Sequence, residues 1–319
     1  MQHGQTPLGT PFGPCTTAQE VIRDIDLTGK TAVVTGGASN LGLETVRILA
    51  WRGARVIVPV RDIGTAGKML CNIPNVELFT MDLLDPASVR SFADKFVIEH
   101  GSLDILILSA GVMATPLFRD AEGHEGQFAT NHLGHFRLTA ALWPALCAAK
   151  NARVIVLSSR GHQLGGLALE DLDFVQRPYD KWLAYGQAKT ANALFAVAVD
   201  ARGINHGVRA FSVHPGSILG PLARHLSREE IDSFGAIDNN GQPVIDPDRD
   251  MKTPQQGAAT TIWCATAPEL AGIGGVYCEN CDIARVERQE RFGVRPFAID
   301  PDIAEALWAE SVRLTGYFY

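Results

Sequence analysis

The chain has 319 residues, 46% of them apolar and 20% charged, which supplies a large core and excludes a disordered chain. Lysine and arginine number 28 against 35 acidic residues, a net charge of −7 with no basic block, so no nucleic acid partner is expected. No run approaches the roughly 18 uninterrupted apolar residues of a membrane span, and the first twenty residues lack the pattern of a secretory signal, so neither a membrane span nor secretion is expected.

Residues 1–27 read as an N-terminal arm, rich in Gly, Pro and Thr to about residue 16, followed by a short helix. From 28 to 319 one domain is expected, because short β-branched runs alternate with longer helical patterns and no repeat intervenes. TAVVT (31–35), RVIVPV (55–60), VELFT (76–80), DILILS (104–109), RVIVLSS (153–159) and VRAFSV (208–213) read as strands, with GGVYC as a last short one. Several are apolar throughout, as in strands covered on both faces. LGLETVRILAWRG, ASVRSFADKFVIEHG, HFRLTAALWPALCAAK and the closing DIAEALWAESVRL read as helices. The fold class that follows is α/β, a doubly wound parallel sheet of about seven strands with helices on both faces. Around 220–255 the pattern breaks down into an insertion that mixes a short amphipathic piece with Gly, Asn, Pro and acidic residues, expected to act as a lid over a substrate.

Between the first strand and the first long helix lies TGGASNLG, residues 35–42. A strand, a Gly-rich turn and a helix start form an anion site, since free N–H groups face a phosphate that glycine lets the backbone approach. Gly36, Ser39, Asn40 and Leu41 are the candidate contacts to a dinucleotide. Asn40 tolerates the left-handed backbone better than most residues, at a cost on the order of 1 kcal/mol. The second strand ends in Val60 and Arg61, where a fold preferring NAD has an acidic residue. An arginine there suits a 2′-phosphate, so NADP(H) is expected ahead of NAD(H).

Tyr185 and Lys189, in LAYGQAKTANALFAVAVD, are four apart on one helix face. A nearby ammonium is expected to lower the phenol pKa and so ready it for proton transfer near neutral pH. Ser159 closes a strand whose C-terminal edge should face ligands, where its hydroxyl can bond a carbonyl oxygen. Asn131, in FATNHLGHF, is a poor helix former within a helical stretch, which points to a buried hydrogen-bonding role.

In the order TGGASNLG, MDL, SAG, TNHLGHF, VLSS, YGQAK and HPG, residues 28–282 closely resemble the short-chain dehydrogenase/reductase family, with its single-domain Rossmann fold. FATNHLGHF and AYGQAKTAN look most like the branch of retinol-dehydrogenase-like and bacterial ketoreductase-like members. The resemblance implies hydride transfer between a nicotinamide and a carbonyl or alcohol. Tyr185 would be the general acid/base, Lys189 would hold the nicotinamide ribose, Ser159 would orient the substrate oxygen, and Asn131 would support a proton relay. Asp82 and Leu83 would meet the adenine, Ser109, Ala110 and Gly111 would line the cofactor cleft, and Pro215, Gly216 and Ile218 would pass the nicotinamide.

Three positions depart from the family pattern. Asn40 replaces its middle glycine, Ser109 replaces the asparagine of Asn-Ala-Gly, and Gly220 stands where a threonine often contacts the carboxamide. They motivate an alternative, a non-catalytic dinucleotide-binding or interaction protein. Met113, Leu164 and Leu222 are candidate substrate walls, and their apolar character suggests a hydrophobic carbonyl or alcohol as the small-molecule partner. The resemblance also implies a homodimer or homotetramer. Most of the six cysteines show no pairing pattern, which suits reduced thiols and a cytoplasmic location. Cys278 and Cys281 form a single CxxC without a second pair, so a strand-end reading is preferred and no metal is expected.

Overall fold

The computed structural model describes residues 4–318. Thr31–Thr35 (β1), Arg55–Val60 (β2), Val76–Thr80 (β3), Ile105–Leu108 (β4), Ala152–Leu157 (β5), Val208–His214 (β6), Val276–Glu279 (β7) and Asp282–Ile283 (β8) form one sheet. Its order is β3-β2-β1-β4-β5-β6-β7-β8, and every pair is parallel except β7–β8. The chain crosses over between β1 and β4, so the crevice at their C-terminal ends is the topological switch point where such sheets bind ligands.

Central strands lack polar alternation because both faces are covered. Val33 packs into one apolar cluster while its neighbours Ala32 and Val34 pack into the other. The first cluster joins the sheet to Pro86–His100 (α4), Gly134–Ala148 (α6), Lys181–Gly203 (α7) and Pro301–Thr315 (α10). Trp308 of α10 stacks on Phe195 of α7 and meets Phe136 of α6 edge-on at 5.0 Å. The second cluster takes Ala18–Val21 (α1), Asn40–Trp51 (α2), Ile63–Leu70 (α3) and Pro254–Thr266 (α9). Each fully buried large apolar side chain contributes about 1.5–3 kcal/mol.

The expected seven strands become eight. Asn280 and Cys281 both take positive φ, 52° and 59°, and this two-residue turn folds the chain back as β8. Cys278 and Cys281 are therefore a strand residue and a turn residue, both buried and unbridged. The N-terminal arm lies along this hairpin. Gln5 donates to the carbonyls of Tyr277 and Ala284 and accepts from Tyr277 N, while Leu8 N and Gly9 N donate to Asp282. The arm thus satisfies backbone groups that an open sheet edge would leave exposed.

The insertion around 220–255 is more ordered than its composition suggests. Ser217 N donates to Asp250 O and Lys252 N to Ser217 O, closing a stem at its base. Between them Arg228–Ser233 (α8) is started by a capping box of Ser227 and Glu230. Glu230 also accepts from Lys181 and Trp182 at the start of α7, and Phe234 meets Trp182 edge-on. The short amphipathic piece expected among these Gly, Asn and Pro residues is this helix, fixed by its capping box and tertiary anchors. Among the described residues no helix is long and apolar enough to cross a membrane.

Candidate active site

The loop between β1 and α2 is shaped by close backbone approach. Gly36 has φ +68°, and a Cβ there would lie 2.9 Å from Ala110 Cα. A Cβ at Gly42 would overlap the carbonyl oxygen of Gly36. Ser39 precedes α2 without a side-chain cap bond, so the first-turn N–H groups of a twelve-residue helix are left for another acceptor. These features fit a dinucleotide pyrophosphate, and Asn40 takes the left-handed backbone of the loop at φ 40°.

Thr35, overlooked in the motif it opens, ties this loop to its neighbour. Its hydroxyl oxygen accepts from Ser109 N at 2.9 Å and from Ala110 N at 3.0 Å. The hydroxyl proton goes to His135 Nε2 at 2.9 Å, and His135 Nδ1 donates to Asn131 O. Burial pushes the His135 pKa down to about 4, consistent with this neutral tautomer. Backbone N–H groups and Thr35 hold the segment of Ser109, Ala110 and Gly111, so it does not depend on the asparagine that Ser109 replaces.

Asn131 lies in a π-helical turn, Ala129–Leu133, between a short helical turn at Gly126–Phe128 (α5) and α6. Such turns displace one residue from the regular ladder and recur at functional sites. Asn131 Oδ1 accepts from Val112 N and Nδ2 donates to Val112 O, which fixes the segment after β4. A Cβ on Gly111 would lie 2.9 Å from Asn131 Oδ1 and 3.9 Å from Lys189 Nζ, so these three residues meet.

Tyr185 and Lys189 share one face of α7, and the ammonium lies 5.7 Å from the phenol ring centre. Lys189 Nζ donates to Leu157 O at 2.8 Å, at the end of β5. A Cβ on Gly161 would lie 2.7 Å from the Tyr185 ring and 3.4 Å from Ser159 Oγ, which places serine and tyrosine side by side. The expected lowering of the phenol pKa is corrected here. Burial pushes Tyr185 up to about 12, with only a partial offset from Ser159, and burial pushes Lys189 down to about 8. Spacing along a helix shows proximity but not desolvation, and desolvation dominates in this enclosed pair.

A buried polar network, unforeseen from the sequence, supports the same edge. Asp250 Oδ2 accepts from His214 Nε2 at 2.9 Å and pairs with Arg160 at 2.8 Å, while His214 Nδ1 accepts from Arg160 N. Burial raises the Asp250 pKa, but His214 and Arg160 outweigh it and hold the carboxyl at about 2. Asp250 ends the insertion, His214 precedes Pro215–Gly216, and Arg160 follows Ser159, so one carboxylate joins three segments. His214 was visible within HPG; Asp250, one acid among several in DPDRD, gave no signal. The Lys252 side chain runs beneath Gly216, where a Cβ would lie 2.7 Å from its Cδ.

Arg61 and Asp82 follow the ends of the paired strands β2 and β3, at the far side of the cleft. Asp82 Oδ1 accepts from Leu84 N, and Leu83 is buried against Gly134. Arg61 is exposed, and its guanidinium makes no hydrogen bond or ion pair among the described residues. The adjacent Asp62 is occupied as the cap of α3, accepting from Gly64 N, Thr65 N and the Thr65 hydroxyl. Ile218 and Leu41 flank Gly257. Leu164 packs over Gly186 and is exposed, as is Leu222, while Met113 is half-buried two residues beyond Gly111.

Residues 30–231 match the family described as short chain dehydrogenase. The chain is 43% identical to the "Probable oxidoreductase" of Streptomyces antibioticus over 89% of this chain and 97% of that one. It is 35% identical to retinol dehydrogenase 12 of Mus musculus over 95% of this chain and 90% of that one. A crystal structure of an uncharacterised protein from Mycobacterium paratuberculosis superposes with a TM-score of 0.70 at 34% identity, covering 92% of this chain and 95% of that one.

Proposed function

The chain belongs to the short-chain dehydrogenase/reductase family of oxidoreductases, and from that membership we propose that it is an NADP(H)-dependent enzyme interconverting apolar carbonyl compounds and secondary alcohols. The observation that carries this reading is the enclosed phenol of Tyr185, side by side with the Ser159 hydroxyl at the C-terminal edge of the sheet. The family's cofactor is a nicotinamide dinucleotide, which when bound supplies or accepts the hydride at the substrate carbon.

Each side chain then has a task that its surroundings suit. Burial, which pushes the Tyr185 pKa up to about 12, keeps the phenol protonated at physiological pH, so it carries the proton that a carbonyl oxygen would receive. Ser159 bonds the same oxygen and holds it in line. Lys189, largely charged below about pH 8, supports the negative charge left on Tyr185 and faces the cleft beside Gly111. Asn131 acts through Val112 and the π-turn, keeping the floor of the cleft in place. Leu164, over Gly186, and Leu222, within the insertion, are both exposed and carry the proposal of an apolar substrate.

The preference for NADP(H) is supported by the unpartnered Arg61 and by the engagement of Asp62 as the cap of its own helix. Two experiments test the reading. Titration calorimetry is expected to give tighter binding of NADPH than of NADH, with the difference shrinking in Arg61→Ala. A panel of hydrophobic ketones with NADPH is expected to show turnover that Tyr185→Phe lowers by about 10²-fold or more, without loss of cofactor binding. Tighter NADH binding would overturn the choice of cofactor. Undiminished turnover in Tyr185→Phe would overturn the assignment of the acid.

A further inference from the structure

Asn40 and Gly220, two of the departures noted above, lie against each other. Gly220 precedes a short 3₁₀ turn, Pro221–Ala223, at the start of the insertion, and its backbone is fully extended. A Cβ built on it would overlap Asn40 Nδ2 and lie 3.0 Å from Asn40 Cγ. The amide therefore rests on the bare backbone of residue 220, and any side chain there would displace it. Its own polar atoms make no hydrogen bond among the described residues. Asn40 is also the first residue of α2, directly after the uncapped Ser39, so its backbone belongs to the turn whose free N–H groups form the anion site.

From this geometry we infer that Asn40 and Gly220 work as one unit, in which the Asn40 amide, seated on Gly220, donates to the phosphate-bearing half of the bound dinucleotide. The inference rests on the family's nicotinamide cofactor and goes beyond it, because it assigns a side-chain contact to a position that the family pattern gives to glycine. The departures are then complementary. A residue with a side chain at 40 needs room, and the absence of one at 220 supplies it. The unit also spans the cleft from the phosphate loop to the first residues of the insertion, so the amide reads the cofactor at the point where the insertion begins.

Backbone energetics sharpen the test. Asn40 sits at φ 40°, in the left-handed region that glycine occupies with less strain. Asn40→Gly should thus leave the melting temperature of the free protein unchanged or slightly higher. If the amide only filled space, cofactor affinity would follow the same trend. If it donates to a charged phosphate, its loss weakens binding by roughly tenfold, the size of one charge-assisted hydrogen bond.

The experiment is calorimetric titration of NADPH into the full chain, its Asn40→Gly and Gly220→Ala variants and the double variant, with melting of each free protein alongside. Asn40→Gly is expected to weaken binding by about tenfold without lowering the melting temperature. Gly220→Ala is expected to weaken it comparably by displacing the amide. The double variant is expected to bind no worse than either single one, since two changes to one contact are not additive. Unchanged affinity in Asn40→Gly overturns the inference, and so does a double variant whose loss is the product of the two single losses. Wild-type protein that binds neither NADPH nor NADH overturns the cofactor reading beneath it, a result distinct from both.

Discussion

Tyr185 and Lys189 are enclosed on the same face of one helix, yet their environments drive both towards neutrality. That has a measurable sign. Lys189 titrates at about 8 in the folded chain against 10.5 unfolded, so between those values the unfolded chain holds more protons and stability rises with pH. Tyr185 titrates at about 12 against 10, so above pH 10 the folded chain holds more protons and stability falls. Chemical denaturation across this range should show the rise in the wild type and its loss in Lys189→Met, a difference on the order of 3 kcal/mol at most. The residues themselves were legible in the sequence, because the four-residue spacing and motif order place them. Their protonation was not, because burial comes from β5, Gly161 and the π-turn, all distant in sequence.

At the scale of elements, the insertion is held at both ends. Its stem is closed by Ser217 and Asp250, and α8 is anchored to α7 through Glu230, Lys181 and Trp182. Removing the Asp250 carboxylate would leave His214 and Arg160 buried without their shared partner, and breaking a buried charge network costs about 3–5 kcal/mol. Asp250→Ala should lose stability of this order in urea unfolding, and Asp250→Asn less, since an amide still accepts one hydrogen bond. A loss below about 1 kcal/mol would show that the network does not hold the stem. The strands were readable because both-face burial leaves uninterrupted apolar runs. The eighth strand was not, since it depends on two positive-φ residues, and of α8 only a short amphipathic piece was visible, without the bounds that its capping box and anchors set.

At the scale of the molecule, several histidines are buried without charge. Burial pushes His132 down to about 3, and His135 and His162 to about 4. As pH falls below 6.5 the unfolded chain takes up protons that the folded chain refuses, so stability is lost progressively down to about 4 for His135 and His162 and about 3 for His132. Asp250 adds a further loss from about 4 towards 2, where its folded carboxylate finally protonates. Acid unfolding followed by circular dichroism should begin near pH 6, and His132→Asn should move the onset lower if the variant folds. An onset unmoved by that change would place the sensitivity elsewhere. The doubly wound sheet brings residues from β1, β4, β5, β6 and α7 to one edge, and sequence order alone gave that gathering only through resemblance.

The most direct test of the whole account follows the hydride. NADPH carrying deuterium at the transferable position is incubated with the protein and a hydrophobic ketone, and the alcohol formed is analysed by mass spectrometry. The account predicts deuterium at the new carbinol carbon with wild-type protein, and product formation that falls by about 10²-fold or more in Tyr185→Phe. Absence of labelled alcohol across a broad panel of ketones, from protein that binds NADPH, would contradict it.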